Sequence, residues 1–403
     1  MTRRARREGA MTFVVSAKPG APVCRNNIES SFTVGVEEEF VLVDPATGRP
    51  SLTSTTVAAA ASGIDLQLEL SKCQIETSTP VCAGIPALRG ELVRARSLAA
   101  QAASRSGSRL LAVGVPLWCP PVGSVTEMPR YLHMAERFGK LAEQVICGCH
   151  VHICVPDRDL AVQVSNHLRW WLPTLLALTA NSPIAGGTDT GHASWRHVLW
   201  ARWPSAGPPP YFLSAHQYDE TVAMLCESGS ILDTAMVYWD VRLSAHLPTI
   251  EIRISDVPAT VGETVLLATL IRALVVTAVA AVDAGDVADP IDSDLLRAAC
   301  WRAARDGIAG SGIDPGTGRL IPVARLVARL LAHIRSYLEE SGDYEHTRTA
   351  LAAVFASGNG AIRQRSALRA GGLTGVTETA ARLTTQGCEF TDSENRDRQM
   401  LER

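Results

Sequence analysis

Apolar residues take every second position in several short runs of this chain. In Thr249-Ile250-Glu251-Ile252-Arg253-Ile254 the isoleucines hold one parity and Glu251 and Arg253 the other. Successive side chains of a strand point to opposite faces, so such a run predicts a strand with one apolar and one polar face. On this basis Phe32 to Val43, Leu66 to Glu76, Leu110 to Val115, Val145 to Val155 and Thr249 to Ile254 are read as strands. Longer stretches with helical spacing separate them: Pro86 to Ala103, Leu160 to Ala180, Val261 to Val282, Asp294 to Arg305, Val323 to Leu338 and Thr347 to Ala356. The order does not alternate strictly, which predicts an α+β fold with a curved, largely antiparallel sheet flanked by helices rather than a doubly wound parallel one.

The alternation has one anomaly. Glu37 and Glu39 sit two apart in the otherwise apolar run Gly35-Val36-Glu37-Glu38-Glu39-Phe40-Val41. They point the same way, roughly 7 Å apart, while Glu38 points the other way. At an effective dielectric of 20 the two charges repel by roughly 2 kcal/mol, and a divalent cation would remove that cost.

Both ends lack periodicity. Residues 1–27 are expected to form a disordered leader and 384–403 a polar, disordered tail, leaving 28–383 as a single domain with a helical C-terminal part. The basic start Met1-Thr2-Arg3-Arg4-Ala5-Arg6-Arg7 is followed by too short an apolar stretch for a signal peptide, so it is a leader or an upstream extension of a start at Met11. The apolar run Thr264 to Ala284 is long enough for a membrane span, but Arg272 at its centre argues for a buried helix.

Composition narrows the classes further. The 403 residues are 46% hydrophobic and 20% charged, with a formal net charge of -3. No basic field for nucleic acid or anionic lipid follows from that balance, so neither is expected as a partner. The ten cysteines lack Cys-x-x-Cys spacing and read as reduced thiols of a cytoplasmic protein. Neither a P-loop nor a strand-linked Gly-x-Gly-x-x-Gly is present.

Three further segments carry candidate chemistry. In Gly148-Cys149-His150-Val151-His152-Ile153-Cys154, strand parity puts His150, His152 and Cys154 on one face, suited to metal or phosphate contact. Glu251 and Arg253 share a face and, taken alone, read first as an ordinary surface ion pair. Glu69 and Glu76 supply two more carboxylates, which converge only if the chain turns around Ser71-Lys72. Oxygen-rich ligation with an imidazole suits Mg²⁺ or Mn²⁺ better than zinc, and such a plate suits a triphosphate.

These segments resemble the type 2 glutamate-cysteine ligase family, the bacterial carboxylate-amine ligases of the glutamine synthetase-like fold group. The likeness runs from about Ser31 to Gly372. It rests on Gly35-Val-Glu37-Glu-Glu39-Phe40, Gln74-Ile-Glu76-Thr-Ser-Thr-Pro80, Gly148-Cys-His150-Val-His152, Ala180-Asn181-Ser182-Pro183, Leu199-Trp200-Ala-Arg202-Trp203-Pro204, Thr249-Ile-Glu251-Ile-Arg253 and Gly360-Ala-Ile-Arg363-Gln364-Arg365. The resemblance implies ATP-dependent joining of a carboxylate, such as the γ-carboxylate of glutamate, to an amine, such as that of cysteine. It implies one metal on Glu37, His150 and Glu251 and a second on Glu39, Glu69 and Glu76. His152 and Arg253 carry over as phosphate contacts, with Arg242 an addition and a homodimer the implied assembly. Glu37, His150 and Arg253 are then the expected catalytic residues.

Substrate recognition is less constrained. Asn181, Asp189, Arg196 and Arg202 lie in or beside a Gly-rich, aromatic segment, and Arg196 or Arg202 is expected to fork onto a substrate carboxylate. Stacking of either arginine on Trp195, Trp200 or Trp203 is the alternative. Arg363 and Arg365 read as anion contacts or partners of acids. Two rival functions remain on the residues: a zinc hydrolase using His150, His152 and Cys154, and a non-catalytic nucleotide-binding relic.

Overall fold

Alternating segments distant in sequence come together in one seven-stranded antiparallel sheet. The computed structural model describes residues 32–388, so the leader 1–27 and residues 389–403 of the tail lie outside the described residues. In chain order the strands are β1 (Val34–Val43), β2 (Leu66–Leu68), β3 (Gln74–Ser78), β4 (Arg109–Leu111), β5 (Gly148–Cys154), β6 (Ile184–Ala185), β7 (Thr188–Asp189), β8 (Val241–Leu243), β9 (Thr249–Asp256), β10 (Ser311–Ile313) and β11 (Leu320–Pro322). The main sheet runs β2-β3-β1-β5-β9-β8, with β4 also on β1; β6-β7 and β10-β11 are separate hairpins.

The apolar parity of the sheet is its helix-facing side. Val36, Val151, Ile153, Ile250 and Ile252 are buried in one core with Leu88 and Leu92 of the Ile85–Arg105 helix, Val162 of Arg158–Leu168, and Leu267 and Ile271 of Val261–Asp283. Glu38 also points to this side. It is fully buried and forked by Arg96, with Nη2–Oε1 at 2.6 Å and Nε–Oε2 at 2.9 Å, and it accepts from Thr264 Oγ1 at 2.6 Å. The same guanidinium donates to the carbonyls of Pro258, Ala259 and Thr384, tying both long helices and the C-terminal helix to β1.

The Val261–Asp283 helix has a window of mean hydropathy 2.4, enough by length and composition for a membrane span, yet 67% of that window is buried inside the molecule. Arg272 is buried with it and donates to the carbonyls of Phe32 and Ala83. Thr260 caps its start by accepting from Glu263 N.

Three expected elements divide. Leu66 to Glu76 is a hairpin, not one strand, because a turn at Ser71 (Gln74 N to Ser71 O, 2.9 Å) reverses the chain. Leu160 to Ala180 breaks into Arg158–Leu168, a 3₁₀ turn and Leu172–Thr179, where Pro173 sits in the first turn of the second helix. Val323 to Leu338 breaks at Ile334. Periodicity alone did not reveal the short helices Pro129–Phe138, Trp195–Trp200 and Ala215–Glu227; the last two start at Ser194 and Ser214 caps.

Candidate active site

Strand register lays out the polar face. Glu37 stands between Ser78 on β3 and His150 on β5, and Glu39 opposite Glu76. One row along, His152 faces Glu251 of β9, which in turn faces Arg242 of β8. Cys149 pairs with Ser255 but Val151 with Ile252, so two β9 residues, Arg253 and Ile254, oppose the single residue His150. That bulge re-aims the strand at the site, a common use of the device. Beyond the Ser71 turn, Glu69 is held by loop residue Thr126, whose Oγ1 donates to its carbonyl at 2.6 Å.

The polar face opens into a cavity of about 250 Å³, with His152 and Glu251 behind its lining. Its floor is Glu37, Glu39, Glu69, Glu76, His150 and Arg253; Arg130, Tyr131, Trp200, Trp203 and Tyr238 form walls the sequence did not point to, apart from the tryptophans. Trp200, Trp203 and Tyr238 pack mutually, with Trp200–Tyr238 centroids 4.3 Å apart. Arg130 pairs with Asp233 across the rim. Nothing in local sequence marks Arg130 or Tyr238, since each reaches the cavity only through tertiary placement.

The acids divide electrostatically. Burial pushes the Glu69 carboxyl up to about 8, helped by the charge of Glu39, and burial with Glu37, Glu69 and Glu39 raises Glu76 well above the usual range. Burial works the same way on Glu37, but hydrogen bonds from His150 and His152 override it and hold that carboxyl well below its ordinary value. Glu251 is likewise buried and likewise lowered, by Arg253 and then Arg242.

Three groups of ligand atoms lie within 4.8 Å of one another: Glu37, Glu76 and His150; Glu37, His152 and Glu251; and Glu39, Glu69 and Glu76. The expected set Glu39, Glu69 and Glu76 is therefore brought together. Glu37, His150 and Glu251 is not formed as one group. Arg242 forks onto Glu251 at 2.7 and 3.1 Å and Arg253 Nη1 bonds the same carboxylate; His150 Nδ1 and His152 Nε2 each lie 4.0 Å from Glu251 Oε1, and it is His152 that falls in one group with both acids. Arg242, expected to touch nucleotide, lines the cavity and also donates through Nη1 to the carbonyls of Ala235 and Val237.

The donor set fits divalent cations. His150 Nδ1 meets Glu37 Oε2 at 3.1 Å and His152 Nδ1 meets Thr249 Oγ1 at 3.0 Å; His152 Nε2 lies 3.3 Å from Glu37 Oε1, while His150 Nε2 is buried without a hydrogen-bond partner. Buried polar atoms are normally satisfied, and crowded carboxylates beside an unpaired imidazole nitrogen are what a cation would complete. Cys154 belongs to none of the three groups, whose members are glutamates and histidines only.

Two substrate candidates are placed elsewhere. Arg202 is exposed, one residue beyond the Trp195–Trp200 helix and its C-cap, and does not line the cavity, whereas buried Arg196 does. Asn181 is also absent from the lining: its Nδ2 donates to the carbonyls of Ala112 and Val257, and its Oδ1 accepts from Gln364. Arg365 forks onto Asp189 and Arg363 pairs with Glu263, so both meet acids.

Similarity to known proteins agrees with this geometry. Residues 33–384 match the sequence profile of glutamate-cysteine ligase family 2. A glutamate-cysteine ligase 2-1 of Nocardia farcinica is 54% identical over 360 residues, covering 88% of this chain and 94% of the relative. A glutamate-cysteine ligase 2-3 of Mycolicibacterium smegmatis is 53% identical over 339 residues, covering 83% and 93%. Among solved structures, the glutamate-cysteine ligase of Francisella tularensis in complex with AMP shares the fold, with a TM-score of 0.66 at 12% identity and 89% of each chain covered. The chain belongs to glutamate-cysteine ligase family 2, and with it to the ATP-dependent carbon-nitrogen ligases.

Proposed function

We propose that this protein joins the γ-carboxylate of glutamate to an amine, cysteine being the first to test, at the expense of ATP. The observation that carries the reading is the convergence of Glu37, Glu39, Glu69, Glu76, Glu251, His150 and His152 from four strands and one loop end, with Arg253 among them. Mg²⁺ or Mn²⁺ is the proposed cation, held by the three overlapping ligand groups, and when bound it neutralises phosphate charge and polarises the phosphoryl oxygens.

A carboxylate is a poor acylating agent until it is phosphorylated. Its oxygen attacks the γ-phosphorus of ATP, ADP leaves, and the amine displaces phosphate from the resulting acyl phosphate. Such transfer needs positioning and charge more than covalent protein chemistry. Arg253, fixed by Glu251, supplies a guanidinium beside the reacting phosphate. Arg196 receives the substrate's α-carboxylate.

The nucleoside needs room outside the 250 Å³ cavity. A second cavity of about 460 Å³, with Tyr218, Leu243, Ser244 and Thr249 in its walls, opens past His152. His152 lies between the two, Nδ1 to Thr249 and Nε2 3.3 Å from Glu37. In this reading it contacts the phosphates while the base occupies the second cavity.

Phosphate release from ATP on adding L-glutamate, with and without a panel of amines, and mass spectrometry of the product test the reading. Metal-dependent release with a γ-glutamyl product is expected. Nucleotide binding without release under every pairing would favour the relic, and stoichiometric tightly held zinc the hydrolase. Free thiols at all nine described cysteines suit the proposed cytoplasmic setting. Light scattering reads the homodimer that the family resemblance implies.

A further inference from the structure

Arg196 is a buried cation that leaves part of its donor capacity unspent. Nη1 donates to Ile254 O at 3.4 Å and Nη2 to Arg253 O at 3.2 Å, but Nε is buried without a hydrogen-bond partner. Asp240 is its mirror. It is 1% exposed, and both carboxylate oxygens are buried without a partner. Orphaned groups of opposite sign are rare enough in a folded interior to need an account.

The backbone puts the two side by side. Arg253 N donates to Asp240 O at 2.8 Å, and Arg253 O accepts from Arg196. Asp240 and Arg196 thus both hold the backbone of Arg253, the first through its N–H and the second through its carbonyl. Burial pushes the Asp240 carboxyl up to about 7, against the pull of Arg196 and then Arg253.

Asp256, the other acid that feels Arg196, is committed elsewhere. It accepts from Ser182 Oγ, Ser194 Oγ and Asn181 N, each at 2.7 Å. Asp240 has no such commitment. A carboxylate in direct contact with Arg196 would compete with substrate for its donors, whereas one held beyond contact orients the guanidinium and leaves them free.

We propose that Asp240 is a positioning residue for Arg196, a charge partner held out of contact that fixes the guanidinium with its open edge toward the cavity, ready for a substrate carboxylate. The proposal rests on the ligase reading above and on Arg196 as its carboxylate receptor. Gly148 completes the seat: a Cβ there would lie 2.3 Å from Arg196 Nη2, so only glycine lets the guanidinium lie against β5.

A double-mutant cycle on the full-length protein, with L-glutamate as the probe, tests it. Asp240→Asn and Arg196→Gln are each expected to raise KM for glutamate about tenfold with kcat nearly unchanged, the signature of lost binding. The double variant should be no worse than Arg196→Gln alone, because the aspartate acts only through the arginine. Calorimetric binding of L-glutamate follows the same cycle without turnover, and a thermal midpoint checks the fold. If Asp240→Asn fails to fold, Asp240→Glu, which keeps the charge, takes its place and should lose less affinity than Arg196→Gln. Equal losses from the Asp240 substitution in both backgrounds, or none in either, would overturn the proposal. Unchanged glutamate affinity in Arg196→Gln would overturn it through the receptor role, while ATP- and glutamate-dependent product formation by the wild type would still uphold the ligase reading.

Discussion

Three consecutive glutamates have two unrelated jobs because a strand alternates. Glu37 and Glu39 face the cavity, and Glu38 faces the helices, sealed against Arg96. Glu37 belongs to two of the three ligand groups, so Glu37→Gln removes charge from both. ATP turnover in that variant should fall by more than about a hundredfold with little change in stability. Glu38→Gln should do the reverse. Metal affinity, measured by calorimetry, stays close to wild type, while breaking a fully buried pair that leaves Arg96 uncompensated costs about 3–5 kcal/mol in chemical denaturation. A Glu38 variant that loses metal but keeps its stability would contradict the register. The facing of Glu38 was legible in the run Val36 to Val41. Its partner was not, although Arg96 falls on the apolar stripe of its helix with Leu88, Leu92 and Ala99, a position where a charge calls for a buried counterion.

At the scale of elements, the strands with clean alternation were readable, and the segments that failed are those where a turn or proline overrides periodicity. Ser71 makes a hairpin of one apparent strand, and that hairpin brings Glu69 back beside Glu76. The motifs around Asn181 and Gly360 looked like ligand contacts and are instead a joint. Gln364 donates to both oxygens of Asn181 at 2.8 Å, and a Cβ on Gly360 would lie 1.9 Å from Asn181 Oδ1, so the C-terminal helix starts in contact with the loop after Leu172–Thr179. Sequence cannot separate such a joint from a binding loop, because both demand polar side chains and glycine. Asn181→Ala strips donors from two buried carbonyls and should cost about 2–3 kcal/mol in denaturation, with KM for glutamate unchanged once the protein is folded. A raised KM at wild-type stability would return Asn181 to the substrate site.

The molecule as a whole couples its fold to the site, because the crowded acids come from β1, the β2-β3 hairpin and β9 and the histidines between them from β5. Folding raises Glu69 to about 8 and Glu76 well above the ordinary carboxylate range. Between pH 5 and 8 the folded metal-free protein therefore keeps protons that the unfolded chain, titrating near 4.5, has released. At these two carboxyls the native state binds more protons, so they subtract stability as pH rises across that window; His197, lowered to about 4 by burial, opposes them only up to about pH 6.5. Glu37 and Glu251 shift the other way; the stability they add is already complete above pH 4.5 and is lost only below it, so it does not offset the decline. The proposed Mg²⁺ or Mn²⁺ would take the place of the protons, and its stabilisation should grow with pH as the carboxylates become free to bind it. Urea denaturation in EDTA at pH 5.5, 7 and 8.5 should give a falling series in the wild type and a flatter one in Glu69→Gln. Saturating Mg²⁺ should remove most of the wild-type slope. A metal-free protein whose stability holds or climbs over that range, relative to Glu69→Gln, would mean that the acids do not share one electrostatic site. The same result would detach the sheet's stability from the chemistry assigned to its polar face.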